Sequence, residues 1–230
     1  MAKRVLITGG GASIGRAIAE QCQRDGYETV ILDRKSGDIT VDLASEEETS
    51  QALNEALEGG PILRLVNNVG IVNPGPISEV ASADLRSVVE VNIRCAIQCV
   101  QALLPGMRQQ GFGRIVSISS RANLGKANRT VYSATKAAVV GMSRTWALEL
   151  GQASVTSNVI SPGPIETPLF REVNPPELAG PIIDAIPVGR IGTPEDIANA
   201  ASFLLNEKSG YVTGQNLYVC GGMSVGSSGI

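Results

Sequence analysis

Thr8-Gly9-Gly10-Gly11-Ala12-Ser13-Ile14-Gly15 is the stretch on which the fold reading turns. The apolar, β-branched run Lys3–Thr8 before it reads as a buried strand, and the spacing of apolar residues after it reads as a helix over Ile14–Arg24. In a strand–loop–helix unit, small residues let the backbone approach a pyrophosphate closely. The helix N-terminus adds unpaired N–H groups and a positive dipole end. Taken alone, the loop also reads as an ordinary tight turn.

Outward from this loop the chain keeps alternating short β-branched runs with longer amphipathic ones. Strands are expected at Glu28–Asp33, Gly37–Leu43, Ile62–Asn67, Gly113–Ser120, Val155–Ile160 and Asn216–Val219. Helices are expected at Ser45–Leu57, where Ser45 and Glu48 have capping-box spacing, at Asp84–Arg108 with Pro105 disturbing its last turns, at Thr130–Leu150, and at Pro194–Leu205 behind Thr193. This alternation predicts an α/β fold: one Rossmann-type, doubly wound parallel sheet with helices on both faces. From Asp33 to Asp42 there is no room for a crossover helix, so a bare loop is expected there. Ser161 to Gly192 is Pro/Gly-rich and weakly periodic, and Gly221–Ile230 is a Gly/Ser-rich tail. A single domain over 1–230 is expected, with no linker or repeat.

Of the 230 residues, 43% are hydrophobic, enough for one sizeable core. A net charge of −3 and the lack of a basic tract argue against a nucleic-acid partner. No apolar run reaches the length of a membrane span and the N-terminus has no signal-peptide core, so no membrane partner and a cytoplasmic address are expected. Cys22, Cys95, Cys99 and Cys220 form no CxxC pair and read as reduced, buried small hydrophobes. With no histidine in the chain, a Ser-His-Asp triad, a Cys-His dyad and a His-ligated zinc site are all excluded, and no metal is expected. Acid–base work falls to Tyr, Lys, Asp, Glu or Cys.

Two groups of residues suit a redox site. At the cofactor end, Asp33 closes the second strand, where a carboxylate accepts hydrogen bonds from adenosine ribose hydroxyls and repels a 2′-phosphate, favouring NAD over NADP. Arg34 beside it works the other way, so NADP stays possible. Asp42 closes the third strand, within reach of an adenine amino group. At the chemical end, Tyr132 and Lys136 are spaced i,i+4, on one helix face. A nearby ammonium favours phenolate, so Lys136 is expected to lower the pKa of Tyr132. Ser117, Ser119 and Ser120 put hydroxyls at a strand's carboxyl end, where open α/β sheets bind ligands. Asn92 sits in mid-helix, where asparagine has poor propensity. It is expected either to hold a water that relays protons to the lysine or to cap a local kink.

Together these residues resemble the short-chain dehydrogenase/reductase family over essentially the whole chain. The TGxxxGxG motif appears as Thr8 to Gly15, with Ser13 at the middle glycine. NNAG appears as Asn67-Asn68-Val69-Gly70, YxxxK as Tyr132 to Lys136, and PGxxxT as Pro162 to Thr167. The resemblance implies an NAD(P)-dependent oxidoreductase moving a hydride between nicotinamide and a small alcohol or ketone. It implies Asn92, Ser120, Tyr132 and Lys136 as the catalytic set, with Tyr132 the acid/base. Ser119 restores the usual serine-to-tyrosine spacing, but Ser120 aligns the strand without a gap. It further implies cofactor contacts from Gly9, Ser13, Ile14, Gly15, Asp33, Asp42, Leu43, Asn67, Tyr132, Lys136, Ile165 and Thr167. The stretch at about 162–192 becomes a substrate lid carrying Leu169, Phe170, Arg171, Val173, Leu178, Ile182 and Ile183. Arg94 and Arg121 are candidates to recognise a substrate anion. A homotetramer or homodimer built on the two long helices is implied. A non-catalytic dinucleotide sensor on the same fold is the alternative.

Overall fold

The computed structural model of the chain describes residues 3–173 and 176–225, without the side chains of 169, 173 and 176–179. Seven strands form one all-parallel sheet: β1 (Arg4–Thr8), β2 (Glu28–Asp33), β3 (Ile39–Thr40), β4 (Arg64–Asn67), β5 (Gly113–Ile118), β6 (Val155–Pro162) and β7 (Asn216–Val219). Their order across the sheet is β3-β2-β1-β4-β5-β6-β7. The central strands β1, β4, β5 and β6 are buried on both faces, so successive apolar residues feed two cores. Leu6, Leu32, Leu65 and Ile115 point into one, and Val5, Ile7, Val66 and Val116 into the other. Helices α2 (Glu46–Glu58), α4 (Cys95–Gln110) and α5 (Thr130–Leu150) cover the first face through Leu53, Leu103, Met107 and Leu150. Helices α1 (Ser13–Arg24) and α8 (Pro194–Leu205) cover the second through Ile18, Ile197 and Leu204. This is the doubly wound arrangement expected.

The third strand is shorter than expected. Asp38 Oδ2 accepts the Ile31 N–H at 2.8 Å, taking a donor of β2 that a longer neighbour would use. Gly37 packs so tightly that a Cβ there would lie 2.7 Å from the Ile31 carbonyl oxygen. Pairing is thus confined to Leu32–Ile39 and Asp33–Thr40, and the crossover has no helix.

The long helix is also interrupted. It runs as α3 (Ser82–Val89), one π-helical turn at Glu90–Arg94, then α4. Pro105 does not end it: the chain stays helical to Gln110, and Gly111 closes it at φ 60°. Contrary to the sequence reading, Ser82–Gln110 is long and apolar enough to cross a membrane by length and composition. It instead packs Val88, Cys95, Cys99, Leu103 and Met107 into the interior.

The stretch after β6 is more regular than its composition suggests, with α6 (Pro168–Val173) and α7 (Pro176–Asp184). Each starts on a proline, whose missing N–H costs nothing at a first helical position. Residues 226–230 of the tail lie outside the described residues, as do the side chains of Leu169, Val173 and Leu178.

At the opposite, N-terminal end of the sheet, buried Arg64 and Arg114 flank the Phe112 ring at 4.6 and 4.3 Å. Their guanidinium groups donate to the carbonyls of Leu205, Asn206 and Glu207. These cations tie strands to the segment after α8 and stand far from the site below.

Candidate active site

Parallel register brings Thr8, Asn67 and Ser117 abreast at the carboxyl ends of β1, β4 and β5. The glycine loop is built on them. The Thr8 hydroxyl accepts the N–H groups of Asn68 and Val69 at 3.1 and 3.2 Å. Asn68 Nδ2 donates to the carbonyls of Thr8 and Gly9 at 3.1 and 2.9 Å. Thr8 and Asn68 were not singled out from sequence, though the doubled asparagine was a signal. At Gly15 a Cβ would lie 2.1 Å from the Gly9 carbonyl oxygen, so no other residue fits. Ser13 adopts φ 49°, left-handed backbone that favours glycine and that explains why the motif has glycine here. The N-cap Ala12 provides no side-chain acceptor, so the first turn of α1, with Ile14, presents N–H groups to whatever binds over the loop. A loop with no space for Cβ atoms and an uncapped helix start fit the pyrophosphate of a dinucleotide.

Asp33 lies across this loop. Its Oδ2 accepts the Gly11 N–H at 3.1 Å, and its Oδ1 accepts the N–H groups of Lys35 and Ser36 at 2.9 and 3.3 Å. Burial pushes its pKa up, but these three bonds and the Arg34 charge outweigh it and hold the carboxylate below its ordinary value. Asp42 is engaged locally: its Oδ1 accepts the Ala44 N–H at 3.0 Å. The Leu43 side chain is in the core and its carbonyl accepts Arg94 Nη2 at 2.7 Å. Arg94 also pairs with Glu90, so it braces α2 against the π turn and is committed away from any substrate.

The chemical cluster gathers at the ends of β4, β5 and α5. Ser120 acts on the Tyr132 phenol, lowering its pKa, and its Oγ accepts the Ala122 N–H at 3.1 Å. Ser119 is turned away, its Oγ donating to the Lys136 carbonyl at 2.7 Å. Ser120 Oγ accepts a backbone N–H and so keeps its own hydrogen to donate, whereas Ser119 spends its hydrogen on the Lys136 carbonyl. Ser120→Ala is expected to lower turnover about 10²-fold, whereas Ser119→Ala should act mainly on stability, by about 1 kcal/mol. Steady-state kinetics beside thermal melts check both, and a selective loss in Ser119→Ala would reverse the choice.

Lys136 is buried, and its Nζ donates to the Ile118 carbonyl at 2.8 Å and sits 5.7 Å from the Tyr132 ring centroid. Burial drags its pKa from 10.5 down to about 8. The expected lowering of the Tyr132 pKa is not what the protein alone displays. Burial raises it, and Ser120 and the Arg129 charge only partly offset that. The reason is geometric: the ammonium is spent on a carbonyl and is itself short of solvent.

Asn92 lies in the π turn, the irregularity its poor helix propensity hinted at. Its side chain clamps Ile71, accepting the N–H at 2.9 Å and donating to the carbonyl at 3.1 Å, and donates to Thr135 Oγ1 at 3.1 Å. Asn67, expected at the cofactor, is buried; its Nδ2 faces Ser117 Oγ at 3.4 Å and its Oδ1 has no partner. Asn67, Asn92, Ser117 and Lys136 line a cavity of about 10 Å³, room for about one water. Gly70 seals this corner: a Cβ there would lie 3.1 Å from Lys136 Nζ and 3.3 Å from Asn92 Oδ1. Gly70→Ala should displace the amine by a few tenths of an ångström and cut turnover about tenfold or more, with a near-native melt.

Beyond β6, Ile165 pairs with Gly192 through the Pro164 carbonyl and the Glu166 N–H, so its own N–H and C=O face the other way. Thr167 Oγ1 accepts the Phe170 N–H at 3.1 Å and caps α6. A cavity of about 310 Å³ opens between Ile165, Ile186, Val188, Val219 and Cys220. Among the described residues no cluster of His, Cys, Asp or Glu could hold a metal ion.

A glycine cradle at one strand end and a Ser–Tyr–Lys cluster two strands away define a dinucleotide-dependent redox enzyme. A family model described as enoyl-(acyl carrier protein) reductase matches residues 9–224. The chain is similar to the (2S)-[(R)-hydroxy(phenyl)methyl]succinyl-CoA dehydrogenase subunit BbsD of Thauera aromatica, at 37% identity over 96% of each chain. It is also similar to the 3-oxoacyl-[acyl-carrier-protein] reductase MabA of Mycobacterium tuberculosis, at 32% identity over 98% of this chain and 94% of that one. Among solved structures it matches a blue fluorescent protein from a metagenomic library in complex with NADPH, with TM-score 0.89 and 31% identity over 96% of this chain and 98% of that one. The chain belongs to the short-chain dehydrogenase/reductase family. It is an NAD(P)-dependent oxidoreductase acting on a CH–OH/C=O pair.

Proposed function

We propose that Tyr132 is the acid/base of this reaction, with Ser120 orienting the substrate oxygen and Lys136 and Asn92 completing the site. The observation that carries the assignment is the buried Lys136 amine 5.7 Å from the Tyr132 ring centroid, with Ser120 acting on the same phenol. Bound NAD(P) supplies or accepts the hydride. The protein's part is to hold the substrate oxygen against Ser120 and to move one proton at the Tyr132 oxygen: onto a carbonyl during reduction, off a hydroxyl during oxidation. Lys136, buried beside the ring, favours the phenolate once it is turned from Ile118. The Asn92 clamp on Ile71 and the small cavity beside Lys136 keep that corner rigid and give a relay water a place.

The cofactor residues are Gly9, Ser13, Ile14 and Gly15 at the pyrophosphate, Asp33 at the adenosine ribose, and Ile165 and Thr167 at the nicotinamide side. Asp42, Leu43 and Asn67 contribute through the walls they build. NADP is accepted alongside NAD. Asp33 opposes a 2′-phosphate, while Arg34 and Lys35 attract it, and the blue fluorescent relative was solved with NADPH. One domain over 1–230 serves both cofactor and substrate, with 162–192 as the lid. Exposed Leu148 on α5 and Tyr211 beside the edge strand support a homodimer or homotetramer. A cytoplasmic address is part of this reading. A sensor without catalysis would have no need of Asn92, Ser120, Tyr132 and Lys136 together.

The test is a panel of alcohols and ketones with each cofactor, followed at the reduced-nicotinamide absorbance. Turnover of at least one pair is expected, and Asp33→Ala should shift the NADP/NAD ratio of kcat/KM upward about tenfold or more. Cofactor binding without turnover of any pair would reject the catalytic reading.

A further inference from the structure

The edge strand β7 reaches the reacting end of the sheet through its side chains. It lies two strands from β5, on the side away from the glycine cradle. Asn216 and Tyr218 stand two residues apart on it, so they project on one face. The Tyr218 hydroxyl donates to Asn123 Oδ1 at 2.8 Å. Asn123 Nδ2 donates to Ser161 Oγ at 3.0 Å, and the Ser161 hydroxyl donates on to Asn216 Oδ1 at 2.6 Å. The circuit thus leaves β7, crosses Asn123 and β6, and returns to β7. Ser161 at its centre is fully buried, with its hydrogen and a lone pair both used. Such a circuit is rigid, because opening a bond leaves a buried polar group without a partner.

Asn123 lies in the 3₁₀ turn Arg121–Leu124, whose N-cap is Ser120. The Asn123 N–H donates to the Ser120 carbonyl at 2.9 Å, and the Ala122 N–H donates to Ser120 Oγ at 3.1 Å. The turn therefore fixes the direction of the Ser120 side chain. Little else fixes the turn: Ala122 is buried but small, Leu124 is 61% exposed, and Gly125 leaves the turn at φ 102°. Asn123 Nδ2 also approaches Ser119 Oγ at 3.4 Å, so the same amide touches the strand end itself. The fold has no need of this anchor, since backbone pairing with β4 and β6 already holds β5 in the sheet.

We propose that Asn123 is a positioning residue for Ser120. Tied to β6 and β7, it sets the angle at which the serine hydroxyl meets the substrate oxygen. This rests on the assignment of Ser120 as the group that orients that oxygen. Without the amide the turn is held by Ala122 alone, and Ser120 Oγ loses its preset direction. The cost then falls on the reacting complex and not on cofactor binding, which takes place at the other strand ends. The edge strand, through Tyr218 and Asn216, becomes part of the support of the catalytic serine.

The experiment is a double-mutant cycle on the full chain, with NADPH and the ketone of the panel that the wild type reduces fastest. Asn123→Ala should lower kcat about tenfold, with cofactor affinity within about twofold of wild type. Tyr218→Phe removes only the hydroxyl that donates to Asn123 and should lower kcat about threefold. In the Ser120→Ala background both substitutions should cost less than about twofold, because the group they aim is gone. Thermal melts run alongside. A merely structural role moves the melt equally in both backgrounds and leaves kcat of the folded enzyme unchanged. An equal fall in kcat in both backgrounds overturns the proposal, as does wild-type kcat in Asn123→Ala. Should Asn123→Ala not fold, Tyr218→Phe carries the same cycle, and wild-type kcat there overturns the proposal too. Wild-type turnover in Ser120→Ala, or no turnover of any panel member, instead strikes the reacting-site assignment and the proposal with it.

Discussion

Tyr132→Phe is expected to reduce turnover about 10² to 10⁴-fold while leaving the affinity for reduced cofactor within a fewfold of wild type. The ring is retained, so its approach to Lys136 survives; only the oxygen that carries the proton is lost. The same change leaves the Ser120 hydroxyl alone to orient the substrate oxygen. Loss should therefore fall on kcat more than on cofactor binding. Cofactor fluorescence titration beside steady-state rates separates the two, and a variant that turns over at the wild-type rate would remove Tyr132 from the reaction.

Lys136→Met should move activity and stability in opposite directions. Turnover is expected to drop about 10²-fold or more, because no cation remains to favour the phenolate. Stability should rise. Burial lowers the lysine pKa from 10.5 to about 8, so at pH 7 the fold carries a cation that it holds less well than water does. That depression corresponds to roughly 3 kcal/mol, and methionine fills similar space without the charge. The linkage has a definite sign. Between about pH 8 and 10.5 the folded protein has lost the proton while the unfolded chain keeps it, so wild-type stability increases through that window. The variant should lack this rise. Thermal melts at pH 7 and pH 10 check it; a variant less stable than wild type at pH 7, or with the same rise, would contradict the burial account.

How far the sequence reaches differs from element to element. The strand–loop–helix at Thr8–Gly15 and the alternation of β-branched and amphipathic runs were sufficient for the doubly wound sheet, because both faces of β1, β4 and β5 are buried and periodicity reports burial. Chain boundaries were harder where side chains replace backbone partners: Asp38 takes the Ile31 N–H and shortens β3. Prolines were legible in one place and not in another. Pro105 lies inside a helix, as expected, whereas Pro168 and Pro176 start helices in a stretch whose composition suggested none. At the site, residue types and spacing named Ser120, Tyr132 and Lys136, but not how they are spent. That Lys136 donates to Ile118, that Asn92 clamps Ile71, and that Arg94 is tied to the Leu43 carbonyl depend on contacts between residues 18 to 51 positions apart, which no local pattern encodes. Neither could Thr8 and Asn68 be weighed without seeing that they staple the glycine loop.

The central claim is that one phenol takes and returns the proton. Its most direct test is the pH dependence of kcat/KM in both directions for a substrate pair found by the screen. The account predicts oxidation rising and reduction falling through a shared apparent pKa, since Tyr132 must be phenolate for one and phenol for the other, and the disappearance of that pKa in Tyr132→Phe. A profile of the same shape persisting in Tyr132→Phe, or both directions rising together, would contradict it.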